Sequence, residues 1–193
     1  MTDRPNLLFL VSDQHRADAM GCAGHPAVET PNLDAFAAEG VRFENAYTQS
    51  PLCVPARAAM YAGVYPHNTQ VRDFSSWVPE GVTTFFEHLQ DAGYYTAHVG
   101  EADQKAWLQT DEDGDVRDNR AFLEAMGFDY VHETIDPWQS RTLDSPITDY
   151  WAEEGLLETV REDLQERWEG AQAYDHWEEG GFSVNWPSPV EPE

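Results

Sequence analysis

The alternation of apolar and polar positions predicts short strands separated by helices. Residues 6–12 (NLLFLVS) form a continuous apolar run, which is typical of a strand buried on both faces. Further apolar stretches predict strands at 41–47, 94–99 and 128–131. Strands that alternate with helices favour an α/β fold with a mainly parallel sheet flanked by helices. Such sheets bind their ligands near the carboxyl ends of the strands.

Local signals mark where the helices begin and end. Thr30 and Pro31 suit the N-cap and the first position of a helix that Gly40 ends. Thr84, with Glu87 three residues later, predicts a capping box at the start of a helix that ends at residue 93. The remaining predicted helices run from the loop at 50–57 to Gly63, over 120–126 and over 156–174.

The elements imply one domain over residues 4–180. Residues 181–193 are rich in proline and lack periodicity, so we expect a poorly ordered tail there. The polar, acidic residues 109–118 are expected to form a surface loop. No apolar run approaches the roughly 20 residues that span a bilayer.

Composition changes this picture mainly through charge. The 193 residues carry 36 acidic and 11 basic side chains, a formal net charge of -25, and Lys105 is the one lysine. Such a surface repels nucleic acid and anionic membranes. We interpret it as the acidic shell of a halophilic protein, because concentrated salt screens the self-repulsion. Cys22 and Cys53 are expected to stay reduced in a cytoplasmic location.

The segment Cys53-Val54-Pro55-Ala56-Arg57 carries the candidate chemistry. Pro55 fits the first turn of a helix, which places Cys53 near the helix N-terminus, where N–H groups favour an anion. This position lowers the pKa of a thiol and suits a nucleophile. Arg57 follows one turn later and can hold an oxyanion from the same helix face. By spacing alone, a structural buried cysteine in a proline-containing turn is commoner than a catalytic one.

This segment resembles the signature of the sulfatase family, whose cysteine is oxidised to formylglycine by a separate maturation enzyme. Other segments are similar to family stretches in the same order, and some of them to the choline-sulfatase and arylsulfatase branch. They are residues 4–14, 30–34, 40–43, 62–67, 92–100, 126–129 and 144–149.

The resemblance implies an alkaline-phosphatase-like fold, truncated here to its N-terminal part, and hydrolysis of small-molecule sulfate esters. Cys53 as formylglycine and Arg57 would be the catalytic residues. Asp13, Gln14 and Cys53 would be ligands of a divalent cation, with Ca²⁺ expected and Mg²⁺ or Mn²⁺ as alternatives. Carboxylate and amide oxygens suit such hard cations.

The resemblance breaks at Glu101, where the family places a lysine that contacts the substrate sulfate. Relatives are also more than twice as long and draw further metal ligands from a later segment. Two alternatives to a working sulfatase therefore stay open. One is a non-catalytic remnant or a subunit of a split enzyme, with a second chain as its partner. The other is a phosphonate or phosphodiester hydrolase, because such enzymes share this site architecture.

Overall fold

The computed structural model describes residues 4–104 and 114–173, with side chains up to residue 170. The chain divides into two compact units, Met1–Thr48 and Gln49–Glu193, called the first and the second unit below. Among the described residues, no helix is both long and apolar enough to cross a membrane. The predicted tail at 181–193 lies outside the described residues.

The first unit contains a 3₁₀ turn, Gly21–Ala23, and helix α1, Pro31–Glu39. The helix confirms the prediction from Thr30, Pro31 and Gly40, which occupy its N-cap, first position and C-cap. The predicted strands at 6–12 and 41–47 do not form, and most of their large apolar side chains are exposed. An apolar run becomes a strand only beside a neighbouring strand, and the sheet within the described residues is formed by residues 97–100 and 130–133 instead.

A polar cluster fastens the 3₁₀ turn to α1. The Asp34 carboxylate accepts hydrogen bonds from the Cys22 amide at 2.6 Å and from the Thr30 hydroxyl at 2.8 Å. The Thr30 hydroxyl in turn accepts from the Gly21 amide at 2.9 Å. The Thr30 hydroxyl and the Cys22 amide lower the pKa of Asp34, because they stabilise its charged form.

The second unit is built around two parallel strands, which confirms the predicted strand direction. Strands β1 and β2 pair in register from Ala97 opposite Tyr130 to Gly100 opposite Glu133. Strand β1 is shorter than the predicted 94–99 and begins later, whereas β2 keeps the predicted length and begins two residues later. The bounds are α2 Cys53–Ala62, α3 Pro66–Thr69, α4 Phe85–Asp91, β1 Ala97–Gly100, α5 Arg120–Ala125, β2 Tyr130–Glu133, α6 Pro146–Glu153 and α7 Leu157–Ala173.

The core of the second unit lies between α2, α4, α5 and the strands. Its side chains are nearly inaccessible to solvent, so their apolar area is removed from water at roughly 25 cal/mol per Å². Phe86 packs on both Tyr61 and Phe128, with ring centroids 5.2 and 4.2 Å away. The buried members are Val54, Ala58, Tyr61, Val71, Val78, Ala102, Leu123, Met126 and Phe128.

The capping box predicted at Thr84 and Glu87 is present at the start of α4. The Thr84 hydroxyl also donates to the carbonyl of Met126, 2.5 Å away, so it joins α4 to the end of α5. Gly127 follows with a φ of +101°. A Cβ at Gly127 would stand 2.5 Å from the amide nitrogen of Glu87, so only glycine fits this crossing.

The prediction of a surface loop over the acidic residues 109–118 is partly wrong. Residues 105–113 lie outside the described residues, but Val116–Asn119 forms a 3₁₀ helix whose Val116 side chain is buried with Ile135 and Leu143. The buried Val116 side chain joins this part of the polar stretch to the rest of the second unit. Helix α7 confirms the predicted acidic helix, and its Trp168 packs against Trp138 rather than facing solvent as a ligand platform.

Candidate active site

Cys53 is the first residue of α2, as the sequence predicts. Leu52 at the N-cap is extended, and Gly63 ends the helix in the left-handed conformation that glycine adopts at little cost. Pro55 lies in the first turn, where its missing N–H leaves no helix bond unmade. The Cys53 side chain is half-buried against the core. The helix therefore presents residue 53 at its positive end.

Arg57 lies one turn after Cys53 on α2 and is 8% exposed. Its Nη1 donates to the carbonyl oxygen of Glu101. Its Nη2 lies 3.9 Å from the Glu101 carboxylate and its Nε lies 3.8 Å from that of Asp103. The guanidinium is thus held by the residues that directly follow β1, at the carboxyl end of that strand.

Residues 101–104, called the β1 loop below, are fixed by buried hydrogen bonds to α2. The amide of Gln104, 1% exposed, donates to the carbonyl of Val54 at 3.1 Å and accepts from the amide of Val78 at 3.2 Å. The Tyr61 hydroxyl lies 3.4 Å from the carbonyl of Ala102 and donates to it. Burial raises the pKa of Tyr61 to about 12, so this donor keeps its proton at neutral pH.

Glu133 at the end of β2 holds the same loop from the other side. One carboxylate oxygen accepts from the amide of Ala102 at 3.1 Å, and the other lies 2.8 Å from Nε2 of His98. Burial raises the pKa of Glu133, and the neighbouring His98, Ala102 amide and Arg57 oppose that rise. The His98 ring is half-buried and lies 5.2 Å from the ring of Phe128.

Asp13 and Gln14 belong to the first unit, whereas Cys53 and Arg57 belong to the second. The two candidate metal ligands form an exposed turn in which Gln14 has a φ of 43°. Over residues 4–104 and 114–170, no group of three or more His, Cys, Asp or Glu side chains could hold a metal ion. A Ca²⁺ ion takes six to eight oxygens, so the described residues do not complete a cation site.

Sequence analysis did not identify Asp103, Gln104 and Glu133 as site residues. One signal could have identified two of them, since Asp103 and Gln104 follow the carboxyl end of a strand expected in a parallel sheet. Glu133 ends the neighbouring strand and would be found by the same argument once the strand ends are known. Lys105, the one lysine, lies outside the described residues.

In the second unit, a parallel strand pair is flanked by helices, and α2 carries Cys53 at its first position with Arg57 one turn later. A profile of the sulfatase family matches residues 5–170, so this chain belongs to the sulfatase family, and its strands and helices are part of the alkaline-phosphatase-like fold of that family.

Several curated sulfatases are similar over about 100 residues. The chain is 40% identical to the N-acetylglucosamine-6-O-sulfatase of Bacteroides thetaiotaomicron over 51% of its own length and 18% of the relative's. It is 40% identical to the choline-sulfatase of Rhizobium meliloti over 51% and 19% of the two lengths. It is 38% identical to the arylsulfatase of Clostridium perfringens over 50% and 20%. These alignments span only about a fifth of each relative's length.

The family supports hydrolysis of sulfuric esters in general terms. The three relatives are all named as sulfatases, so they do not favour the phosphonate or phosphodiester alternative. The roles of Asp13, Gln14, Cys53 and Arg57 stay predictions.

Proposed function

We propose that this chain carries the nucleophile of a sulfuric ester hydrolase, with residue 53 as the attacking group. The observation that supports the proposal most directly is the placement of Cys53 at the N-terminus of α2 with Arg57 one turn further on. An anionic group at this terminus is stabilised by the helix dipole and by N–H groups. The chain spans only part of its relatives, so the activity of the whole enzyme is a proposal too.

Residue 53 as formylglycine would supply an aldehyde hydrate, one hydroxyl of which would attack the ester sulfur and displace the alcohol, which takes up the proton. Loss of the proton from the second hydroxyl would then break the C–O bond to the sulfate, release it and regenerate the aldehyde, which water rehydrates. Arg57 orients the oxygens of residue 53 and of the sulfuryl group, since a guanidinium offers several donors in a fixed plane. The β1 loop keeps that plane fixed, because Glu101 and Asp103 contact the three nitrogens of the Arg57 guanidinium. Preorganised donors of this kind stabilise a transition state without reorganising during the reaction.

A divalent cation belongs to the proposal only in part. Asp13 and Gln14 would contribute oxygens to a Ca²⁺, Mg²⁺ or Mn²⁺ ion beside residue 53. They leave most of the coordination sphere to other residues, which a further part of the enzyme, on this or a second polypeptide, would provide. The maturation enzyme that converts Cys53 is the other proposed partner. The cytoplasmic location and the halophilic origin stay predictions.

The first test is mass spectrometry of the peptide that contains residue 53, taken from protein made in its own host. We expect the mass that corresponds to conversion of the CH₂SH side chain to CHO. An assay with an aryl sulfate in concentrated salt with added Ca²⁺ or Mn²⁺ accompanies it. The expected result for this chain is an aldehyde at residue 53 with weak turnover or none, because the cation site is incomplete.

Matched variants separate the chemistry from the fold. Cys53→Ala should abolish both conversion and any turnover, whereas Cys22→Ala removes the other half-buried thiol and should change neither. Arg57→Lys keeps a positive charge but loses the planar donor set, and should retain conversion with reduced turnover. An unmodified thiol at residue 53 together with absent turnover would refute the sulfatase mechanism and leave a non-catalytic domain.

A further inference from the structure

The charge around Arg57 is dominated by carboxylates. Glu101 and Asp103 approach the guanidinium to 3.9 and 3.8 Å, and Glu133 lies behind them at the end of β2. His98 pairs with Glu133, and Tyr61 is held in its neutral form. Among these described side chains, the Arg57 guanidinium therefore faces two carboxylates, both from the β1 loop.

The β1 loop cannot move these carboxylates away without breaking buried bonds. Gln104 anchors the loop to Val54, and Ala102 is fixed between Tyr61 and Glu133. Asp103 adopts a φ of +55°, a conformation that a non-glycine residue keeps only when its surroundings enforce it. Its carboxyl is 3% exposed, and that of Glu101 is 23% exposed. The loop that carries both carboxylates is thus held in place beside Arg57.

Fixed negative charge discriminates between anions by their charge. The Coulomb energy between a fixed carboxylate and a bound anion is proportional to the anion's charge. A sulfate monoester carries one negative charge, whereas inorganic sulfate carries two and a phosphate monoester carries about 1.5 to 2 at neutral pH. Each carboxylate therefore penalises a dianion twice as much as a monoanion. An arginine without such partners would favour the dianion instead.

We propose that Glu101 and Asp103 are specificity-determining residues that make the Arg57 site select singly charged sulfate esters over doubly charged anions, including phosphate monoesters and free sulfate. The proposal rests on the proposed function for the location of the substrate beside Arg57. It also gives the two carboxylates a role in product release, because hydrolysis converts a monoanionic ester into sulfate, which the site then holds more weakly.

The test measures the binding of two unreactive anions, methyl sulfate as the monoanion and inorganic sulfate as the dianion, to the full chain at constant ionic strength near 0.1 M. NMR titration of the amides of α2 reports both affinities. Glu101→Gln should raise the affinity for methyl sulfate about threefold and that for inorganic sulfate about tenfold, the square of the first gain. A purely structural change would alter both affinities by the same factor.

Asp103→Asn should show the same ratio between the two affinity gains. If this buried substitution unfolds the loop, Glu101→Gln alone still decides the test. The matched control is Asp149→Asn, which removes a carboxylate 2.6 Å from a different arginine, Arg117. This control should change neither affinity by more than about 1.5-fold, because its carboxylate pairs with Arg117 rather than with Arg57. Arg57→Gln should weaken both anions.

Equal gains for the two anions in Glu101→Gln would overturn the proposal, and so would a folded Glu101→Gln variant that binds neither anion better than the unaltered chain. These measurements need neither conversion of Cys53 nor turnover. A chain that shows the expected charge selectivity but keeps an unmodified thiol at residue 53 and has no turnover would refute the proposed function and leave the selectivity intact.

Discussion

The two units turn apolar sequence into structure in different ways. In the first unit, none of residues 4–48 is buried, and Leu8 in the longest apolar run is 83% exposed. In the second unit, apolar residues of similar type form a core in which Leu123 is inaccessible. The first unit is organised by polar bonds between Asp34, Thr30 and the turn before α1. Apolar pattern therefore stabilises only where the chain also supplies a partner surface.

The largest effect that separates the units should come from truncating one leucine in each. Leu123→Ala removes a fully buried side chain and should lower the free energy of unfolding by about 2–5 kcal/mol. Leu8→Ala should change it by less than about 0.5 kcal/mol, because that side chain is exposed. Urea unfolding followed by far-UV circular dichroism measures both. Equal effects would show that the apolar run of the first unit is buried in solution.

A second pair tests backbone crowding inside the second unit. Gly127→Ala should cost about 2–3 kcal/mol, because its Cβ would meet the Glu87 backbone at 2.5 Å and the positive φ adds strain. Gly155 has a φ of +71° with no atom within 4 Å of an added methyl group, so Gly155→Ala isolates the strain alone at about 1 kcal/mol. Thermal unfolding of both variants gives the difference. If the two losses are the same, the contact between α4 and Gly127 does not constrain the fold.

Two threonines at helix N-termini test the difference between the two units with a smaller expected effect. Thr84→Ala removes a capping box and the bond to Met126, and should destabilise the second unit by about 1–2 kcal/mol. Thr30→Ala removes the hydrogen bonds of the Thr30 hydroxyl to Gly21 and Asp34, which both lie in the first unit. The hydroxyl makes no capping hydrogen bond to α1. Its effect should appear as faster amide exchange near residues 21–34 without a change in global stability. A global loss in Thr30→Ala would contradict the separation of the units.

The smallest expected difference between the two units is in their response to acidic pH. Asp129 accepts bonds from Thr96 and Gln90, and the Thr96 amide is the main reason that its pKa is lowered. Because a depressed carboxyl pKa stabilises the fold above the unfolded value near 3.9, this contribution is lost as the pH falls through the folded pKa. Asp34 should titrate below 3.9 in the same way within the first unit.

NMR titration of the two carboxyl carbons checks this prediction. Asp129→Asn should flatten the loss of global stability as the pH falls below about 4, whereas Asp34→Asn should alter only local exchange near α1. A normal pKa at Asp129 would show that its bonds to Thr96 are not kept in solution.

Sequence reasoning succeeded where structure depends on neighbouring residues. The ends of α1 and α2 and the capping box of α4 follow from Thr30, Gly63 and Thr84, whose effects act within a few residues. The parallel pair β1 and β2 was also predicted, although its exact bounds were not. The strands predicted at 6–12 and 41–47 failed, because a strand also needs a partner that the run itself does not specify.

The candidate site shows the same division. Cys53 and Arg57 share one helix, so their relation could be read from their spacing. The contacts of Arg57 with Glu101 and of Gln104 with Val54 join residues 44 and 50 positions apart. No periodicity carries information over such separations, so the β1 loop emerged only from the structure.

The contact between Gln104 and Val54 also sets an order of events during synthesis. Ribosomes extend a chain by about 5–20 residues per second, so the 50 residues that separate these partners take about 3–10 s to make. During that interval the first turn of α2 has left the ribosome without the loop that later clamps it. The growing polypeptide therefore offers Cys53 in a loosely held segment for several seconds before its final surroundings exist.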